Sequence, residues 1–471
     1  MKILLISPGF TEIYGNYAPA AKVGVLWPPM GIAYIAAVLE KEGHEVKIID
    51  LEVESLSKQK LTEKINTFSP KVIGVSSSTP LHHKAIKIFQ LIKEINKNII
   101  TLSGGPHPTT LPFETMKNTP EIDFICYGES ELTVAELIKY FEKRNEQYEN
   151  IRGLVWREGD EIKVNPRREL IEDLDTLPFP ARHLLNYKKY LWSVPGKGII
   201  PITSFMTSRG CPFLCTFCSQ HVLFGRKMRY RSIPSIIEEL KLITKEYKIN
   251  HLTLLDDTLG VDKKRTFELC EEIKKSGIKV TFEGYTRVNV ITKELLQKLK
   301  EVGLNRLSFG VESGNQEMLN AVKKGINLQQ IREAYKIADS LNIETRMSII
   351  FGLPYETKAT IKKTIRFMKS LKCYQAYVNV GTPFPGTKYY EDAKNGVGGL
   401  KLLTEDWNEY RRWGNAVIEV NDLKPKDLVY WQKRALLEFY LRPKQIVYNL
   451  RRAGIKAAFR NGASFFKSFI K

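Results

Sequence analysis

The chain has 471 residues, 43% hydrophobic and 26% charged, the balance of a folded globular protein with roughly two to four domains rather than a disordered or fibrous one. The formal net charge is +20, which fits a Lys-rich proteome, an anionic membrane surface or another anionic partner. The opening MKILLISPGF breaks at Pro8, too early for a signal peptide, and no run of about 18 apolar residues exists to span a membrane. A cytoplasmic protein is therefore expected, with its 6 cysteines serving metal binding or burial rather than disulfides.

In chain order, Lys2–Ser7, Glu45–Asp50, Lys71–Ser76, Ile99–Ser103 and Asp123–Cys126 read as short apolar strands. Gly31–Glu42 and His83–Lys97 have helical spacing. Buried strands alternating with helices imply a parallel sheet covered on both faces, with ligand-binding loops at the carboxyl ends of the strands. Those loops are rich in Gly, Ser and Pro. Residues 151–165 read as a hairpin turning near Glu158–Gly159–Asp160, and the Pro178–Phe179–Pro180 region as a stiff connector. The alternation then resumes, with strands expected at 202–207, 251–255, 279–283, 305–310, 346–351 and 375–380 and helices such as Ser235–Tyr247 and Lys263–Ser276 between them. Six such units suggest a partial (β/α) barrel open on one side. From about residue 404 onward the chain reads as helical. The division is 1–145, a Rossmann-like domain; 146–195, hairpin and connector; 196–400, the barrel; and 401–471, a helical C-terminal region.

The strongest chemical signal is Cys211-Pro-Phe-Leu-Cys215-Thr-Phe-Cys218, directly after the first barrel strand and Arg209–Gly210. Three thiolates on one loop hold three corners of a 4Fe–4S cluster and leave the fourth iron open. A zinc site with His221 as a fourth ligand is the competing reading. Cys126, Cys270 and Cys373 are scattered and read as small buried hydrophobes.

This CxxxCxxC loop, with the aromatic Phe217 before its last cysteine, resembles the signature of radical S-adenosylmethionine (radical SAM) enzymes. The resemblance implies that the amino and carboxylate groups of SAM chelate the open iron, and that reductive cleavage yields a 5′-deoxyadenosyl radical. It implies SAM contacts from Phe217, from Asp257 in Leu254-Leu-Asp-Asp, from Glu312 on the ribose, and from Arg346 as a partner for the SAM carboxylate. Asp257 also reads as a turn or cap residue, Glu312 as a structural acid, and Arg346, like Arg287, as part of a salt bridge. Phe351-Gly-Leu-Pro-Tyr-Glu-Thr357 resembles the family's turn near adenine.

Four loops of the first domain together resemble the cobalamin-binding domain fused to many radical SAM enzymes: Trp27-Pro-Pro-Met-Gly, Ser76-Ser-Ser, Ser103-Gly-Gly-Pro-His and Tyr127-Gly-Glu-Ser. Cobalamin contacts are accordingly expected from Trp27, Ser76, Ser77, Gly104, Gly105, His107 and Gly128, where small residues admit a flat macrocycle closely. A Rossmann-like domain binding something else is the alternative. The Asp-x-His-x-x-Gly motif that ligates cobalt from below is missing, and His44, in Glu-Gly-His-Glu, lacks that pattern, so base-off cobalamin without a His ligand is expected.

The whole order resembles the cobalamin-binding radical SAM group of class B methyltransferases and anaerobic cyclases. The activity implied is C-methylation of an unactivated carbon in a lipid-like or other small molecule. Ring closure, oxidation or carbon–carbon bond formation on a lipid or tetrapyrrole is the alternative. The electron donor implied is a flavodoxin or ferredoxin. The basic, aromatic-rich stretch Leu441–Lys471 reads as an amphipathic helix at a membrane surface, with packing on the protein's own core as the alternative. Nucleic acid is not the expected partner.

Overall fold

The computed structural model describes residues 1–11, 13, 27–143, 147–194 and 197–453. They divide into two compact units. The first takes in 1–11, 13, 28–143, 147–190 and 219–225; the second takes in Trp27, 191–194, 197–218 and 226–453.

The first unit is a seven-stranded sheet. Its strands are β1 (Lys2–Ser7), β2 (Glu45–Asp50), β3 (Val72–Ser76), β4 (Ile100–Gly104), β5 (Phe124–Cys126), β6 (Leu154–Glu158) and β7 (Glu161–Val164), in the order β2-β1-β3-β4-β5-β6-β7. Strands β1 to β5 run parallel, and the order 2-1-3-4-5 is that of a doubly wound sheet whose switch point lies between β1 and β3. The hairpin anticipated at 151–165 forms, and it pairs antiparallel onto β5 through Phe124 opposite Trp156. The sheet is thus mixed at one edge, because a two-residue turn can only return the chain antiparallel. Ile6, Ile73, Val75, Phe89, Ile92 and Ile125 form its core, each almost fully buried.

The second unit carries six strands in sequence order, all parallel: β8 (Thr203–Phe205), β9 (His251–Leu254), β10 (Thr281–Thr286), β11 (Leu304–Glu312), β12 (Glu344–Phe351) and β13 (Gln375–Val380). β8 and β13 are its two edges, so the barrel stays open. Alternation sorts the side chains. Leu307, Phe309 and Val311 on β11 and Met347, Ile349 and Phe351 on β12 are buried apolar residues; the intervening positions are Arg306, Ser308, Gly310 and Glu312, and Glu344, Arg346, Ser348 and Ile350.

That second face carries a buried ion network. Glu283 accepts from Arg306 at 2.9 Å and from Arg346 at 3.0 Å, and Arg306 also reaches Glu344 at 2.9 Å. Burial pushes the Glu283 carboxyl up, but Arg346, Arg306 and His251 outweigh it and hold it below the usual range.

The helical expectation beyond residue 404 holds only in part. Leu400–Leu402 and Ile418–Val420 form an antiparallel pair, and helices begin at Pro425–Tyr440 and Pro443–Ala453. The stretch between the strands is punctuated by Asp406, Asn408, Gly414 and Asn415, residues that favour turns over helix. The amphipathic reading of Leu441–Lys471 lies, past Ala453, outside the described residues. Among those described, no helix is long and apolar enough to cross a membrane.

Removing one partner of a buried ion network leaves the others unneutralised, at about 3–5 kcal/mol. Glu283→Gln is expected to lose stability on that scale in urea unfolding, whereas a neutral change to exposed Lys263 is expected to lose almost none.

Candidate active site and cobalamin cradle

The cysteine loop starts where β8 ends. Asp256, just past β9, is buried and accepts hydrogen bonds from the Thr207 backbone N–H (2.6 Å), the Ser208 N–H (3.3 Å), the Ser208 hydroxyl (2.8 Å) and the Thr207 hydroxyl. Its carboxyl is nonetheless pushed up by burial, against those hydrogen bonds. The loop is closed at its base by the pairing of Ser208 with Tyr230 and Arg209 with Arg229.

Cys211, Cys215 and Cys218 are all half-buried, unlike Cys126, Cys270 and Cys373, which are buried. Burial pushes each of the latter thiols up to about 12, so they are inert protonated core residues, as expected. Among the described residues no three His, Cys, Asp or Glu side chains converge as ligands of a single ion. Three half-buried thiols on one anchored loop suit a cluster held at three of its corners.

Around them sit the other groups of the site. Thr258 Oγ1 lies 3.6 Å from Cys211 Sγ, and the Arg287 guanidinium donates to Cys215 Sγ at 3.2 Å. Asp257 is raised to about 7 by burial and by the charge of Asp256, against a hydrogen bond from the Gly210 backbone. Its Oδ2 is buried without a partner, an orphan acceptor beside the cysteine loop where the SAM amino group is expected. Glu312 ends β11 at φ 62° and pairs with Lys324 at 2.7 Å. A Cβ on Gly310 would lie 2.4 Å from Glu312 Oε1 and 2.6 Å from Lys324 Nζ, so a side chain there would displace the ends of that ion pair. Phe217, like Ile350, packs against the buried cluster of Met318, Val322 and Leu353, with Lys324 Nζ 5.7 Å from the Phe217 ring centroid. Phe217, Asp257 and Glu312 thus all lie at the carboxyl ends of the strands, with the cysteines.

Arg346 does not. It is the third residue of β12, bound to Glu283 and donating to Gln375 Oε1 at 3.1 Å. Five residues of strand, about 17 Å, separate it from the carboxyl end. Its role as partner of the SAM carboxylate is therefore replaced by the salt-bridge reading.

Sequence reasoning missed Glu356. Its fully buried carboxylate accepts from the backbone of Gly352 and, at 3.1 Å, of Leu353, and burial pushes it up to about 8. It clamps the Gly352-Leu-Pro turn, with Gly352 at φ 94°. The signal was present as an acid four residues after a glycine in a strand-ending turn.

In the first unit, six of the seven expected cobalamin residues meet at the carboxyl ends of the central strands β3 to β5. Ser76 and Gly104 end β3 and β4. Ser77 N–H donates to the Gly104 carbonyl at 3.0 Å, and His107 N–H to the Ser77 carbonyl at 3.1 Å. Gly105 has φ 94°, and a Cβ there would lie 2.6 Å from Ser76 Oγ and 2.9 Å from Ser77 N. Gly128 joins through its N–H, which donates to Thr109 Oγ1 at 3.0 Å. The buried Oγ atoms of Ser77 and Ser103 and the Nδ1 of His82 have no protein partner. The His82 and His107 rings stack with centroids 4.0 Å apart. Orphaned polar atoms beside a glycine-lined approach fit a large, flat, polar ligand. Trp27 groups with the second unit, where its indole meets Tyr285 edge-on at 6.1 Å and Trp192 at 6.4 Å. His44 precedes β2, at the amino end of the strands, where its Nδ1 meets the N-terminal amine at 3.1 Å. It is therefore no ligand for a group bound at the carboxyl ends.

Both domains have counterparts among known proteins. Residues 18–138 match the B12 binding domain, and residues 205–368 match the Radical SAM superfamily. An uncharacterized methyltransferase of Pyrococcus horikoshii is 35% identical over 96% of this chain and 95% of that protein. The anaerobic magnesium-protoporphyrin IX monomethyl ester cyclase of Rubrivivax gelatinosus is 29% identical over 87% of this chain and 72% of its own. The radical S-adenosylmethionine methyltransferase TsrM of Kitasatospora setae has the same fold, with a TM-score of 0.74 at 16% identity, covering 100% of this chain and 99% of TsrM.

A B12-binding unit ahead of a cysteine-bearing radical SAM barrel defines a radical enzyme. The chain belongs to the cobalamin-binding radical SAM family, with a 4Fe–4S cluster, SAM and cobalamin as its cofactors.

The cradle is open to test by substitution and by pH. Gly105→Ala forces a side chain into a positive φ and into Ser77; retained cobalamin is expected to fall about tenfold or more, equivalent to 1.4 kcal/mol, with iron content unchanged. Burial lowers His82 to about 4 and His107 to about 2 from an ordinary 6.5. The unfolded chain protonates these rings below about pH 6.5 while the folded chain keeps them neutral, so stability is full above that pH and declines below it. For His82 alone the loss reaches about 2 kcal/mol near pH 5. Urea unfolding of the apoprotein near pH 7.5 and pH 5 is expected to show that decline, reduced in His82→Phe.

Proposed function

We propose that this enzyme methylates an unactivated carbon of a small molecule. When bound, the cluster supplies the electron that opens the SAM sulfonium to a 5′-deoxyadenosyl radical, and cobalamin carries the methyl group. The chain's own residues orient and shield. Cys211, Cys215 and Cys218 would hold the cluster by three thiolates, leaving an open position for SAM. Asp257 offers its orphan oxygen to the SAM amino group, Glu312 faces the ribose, and the Gly352–Leu353 turn borders adenine. Ser76, Ser77, Gly104, Gly105, His107 and Gly128 would cradle cobalamin.

The observation that carries this reading is the pairing of a three-thiol loop with a glycine-opened, polar cradle in a chain 35% identical to a methyltransferase over almost its full length. Ring closure without methyl transfer is the second reading, favoured by the likeness to anaerobic cyclases. Exposed Leu441, Ile446 and Val447 beside basic residues support peripheral contact with an anionic membrane and hence a lipid-like substrate. The basic net charge favours an acidic low-potential donor such as flavodoxin or ferredoxin, and six free cysteines suit the cytoplasm.

The test is anaerobic reconstitution with iron, sulfide and hydroxocobalamin, followed by turnover with methyl-labelled SAM. Label in the product is expected; an unlabelled product that has lost hydrogens establishes ring closure instead. Cys215→Ala is expected to abolish 5′-deoxyadenosine formation while retaining cobalamin.

A further inference from the structure

Arg287, the residue after β10, is 5% exposed. Its hydrogen bonds are fully directed: Nη1 donates to Cys215 Sγ at 3.2 Å, Nε to Asn289 Oδ1 at 3.3 Å, and Nη2 to the Lys324 carbonyl. The guanidinium carbon lies 3.8 Å from the centroid of the Phe213 ring, so one face of the plane is covered as well. Edges and face together fix the group in orientation.

Its charge stands differently from those of its neighbours. Arg306 and Arg346 are neutralised by Glu283 and Glu344, and Lys324 by Glu312. No carboxylate of the described residues pairs with Arg287. A buried cation without a counter-charge is strongly destabilising. The anionic group it meets is Cys215, a thiolate once it ligates iron.

We propose that Arg287 is a positioning residue for the cluster, whose N–H···S bond and fixed positive charge make the cluster easier to reduce. The inference rests on the radical SAM reading. A cluster bound by three thiolates becomes more negative when it accepts one electron from a low-potential donor. A cation held against one ligand stabilises that reduced state, and hydrogen bonds to the sulfurs act in the same direction. No proton moves and no bond breaks at Arg287. Because its Nη1 is already committed to sulfur, the residue acts on the potential of the SAM-free enzyme and not as the partner of the SAM carboxylate.

The experiment is an anaerobic redox titration of the reconstituted full-length enzyme without SAM, followed by electron paramagnetic resonance, with SAM affinity measured separately by equilibrium dialysis. Arg287→Gln keeps a donor and most of the volume but removes the charge. With full iron content, its reduced-to-oxidised ratio at a fixed potential is expected to fall about tenfold, a 59 mV shift for a one-electron couple. Arg287→Lys is expected to restore most of that ratio, and SAM affinity is expected to change little in either. An unchanged ratio in both variants, or an unchanged ratio with weakened SAM binding, overturns the proposal. Should Arg287→Gln fail to hold iron, Phe213→Leu decides: freeing the guanidinium from its ring is expected to lower the ratio, and no change overturns the proposal. Absence of cluster from the unmodified enzyme is a separate result, which sinks the radical SAM reading itself.

Discussion

The cysteine loop hangs from one buried carboxylate. Asp256 collects the backbone and hydroxyl donors of Thr207 and Ser208, and so ties the chain entering the loop to the end of the neighbouring strand. Charge-assisted bonds of this kind are the stronger hydrogen bonds of a protein interior. The groups of the loop beyond Ser208 inherit that fixed point: Gly210 beside Asp257, Cys211 beside Thr258, Cys215 beside Arg287. The same carboxylate helps raise Asp257 to about 7, so anchoring the loop also sets the protonation of the acid next to it.

The barrel divides its charges by depth. Toward the amino ends of the strands, Glu283, Arg306, Glu344 and Arg346 neutralise one another, and the network serves the fold. Toward the carboxyl ends, charged groups are paired sparingly or left facing the chemistry: Asp257 keeps an orphan oxygen and Arg287 meets a sulfur. This is the division expected of a barrel, stability at one end and reactivity at the other.

Much of this was legible in the sequence. The bounds Lys2–Ser7, Glu45–Asp50 and 375–380 coincide with β1, β2 and β13, because a buried run in β1 and apolar–polar alternation in the two edge strands mark their ends sharply. The cysteine spacing and the glycine loops also declared themselves, since both chemistries demand particular residue types close together. Arg346 misled because a strand arginine reads the same at either end; only register shows that Glu283 and Gln375 take its guanidinium. Trp27 precedes a helix of the first unit yet packs with Tyr285 and Trp192, a departure that chain order hides. The edge hairpin was visible as a hairpin, but its pairing onto β5 depends on a partner strand distant in sequence.

The clasp at the base of the cysteine loop has a consequence for damage and repair. Ser208 and Arg209 pair through their backbones with Tyr230 and Arg229, and Asp256 grips the same base through groups that bind no iron. Oxygen that stripped the cluster would therefore take iron and sulfide from the loop without untying its ends. The entropy of bringing those ends together is met by the barrel, independently of the metal. Reassembly after an oxidative insult would then be a local event, in which three reduced thiols take up iron and sulfide on a loop whose base is held without them.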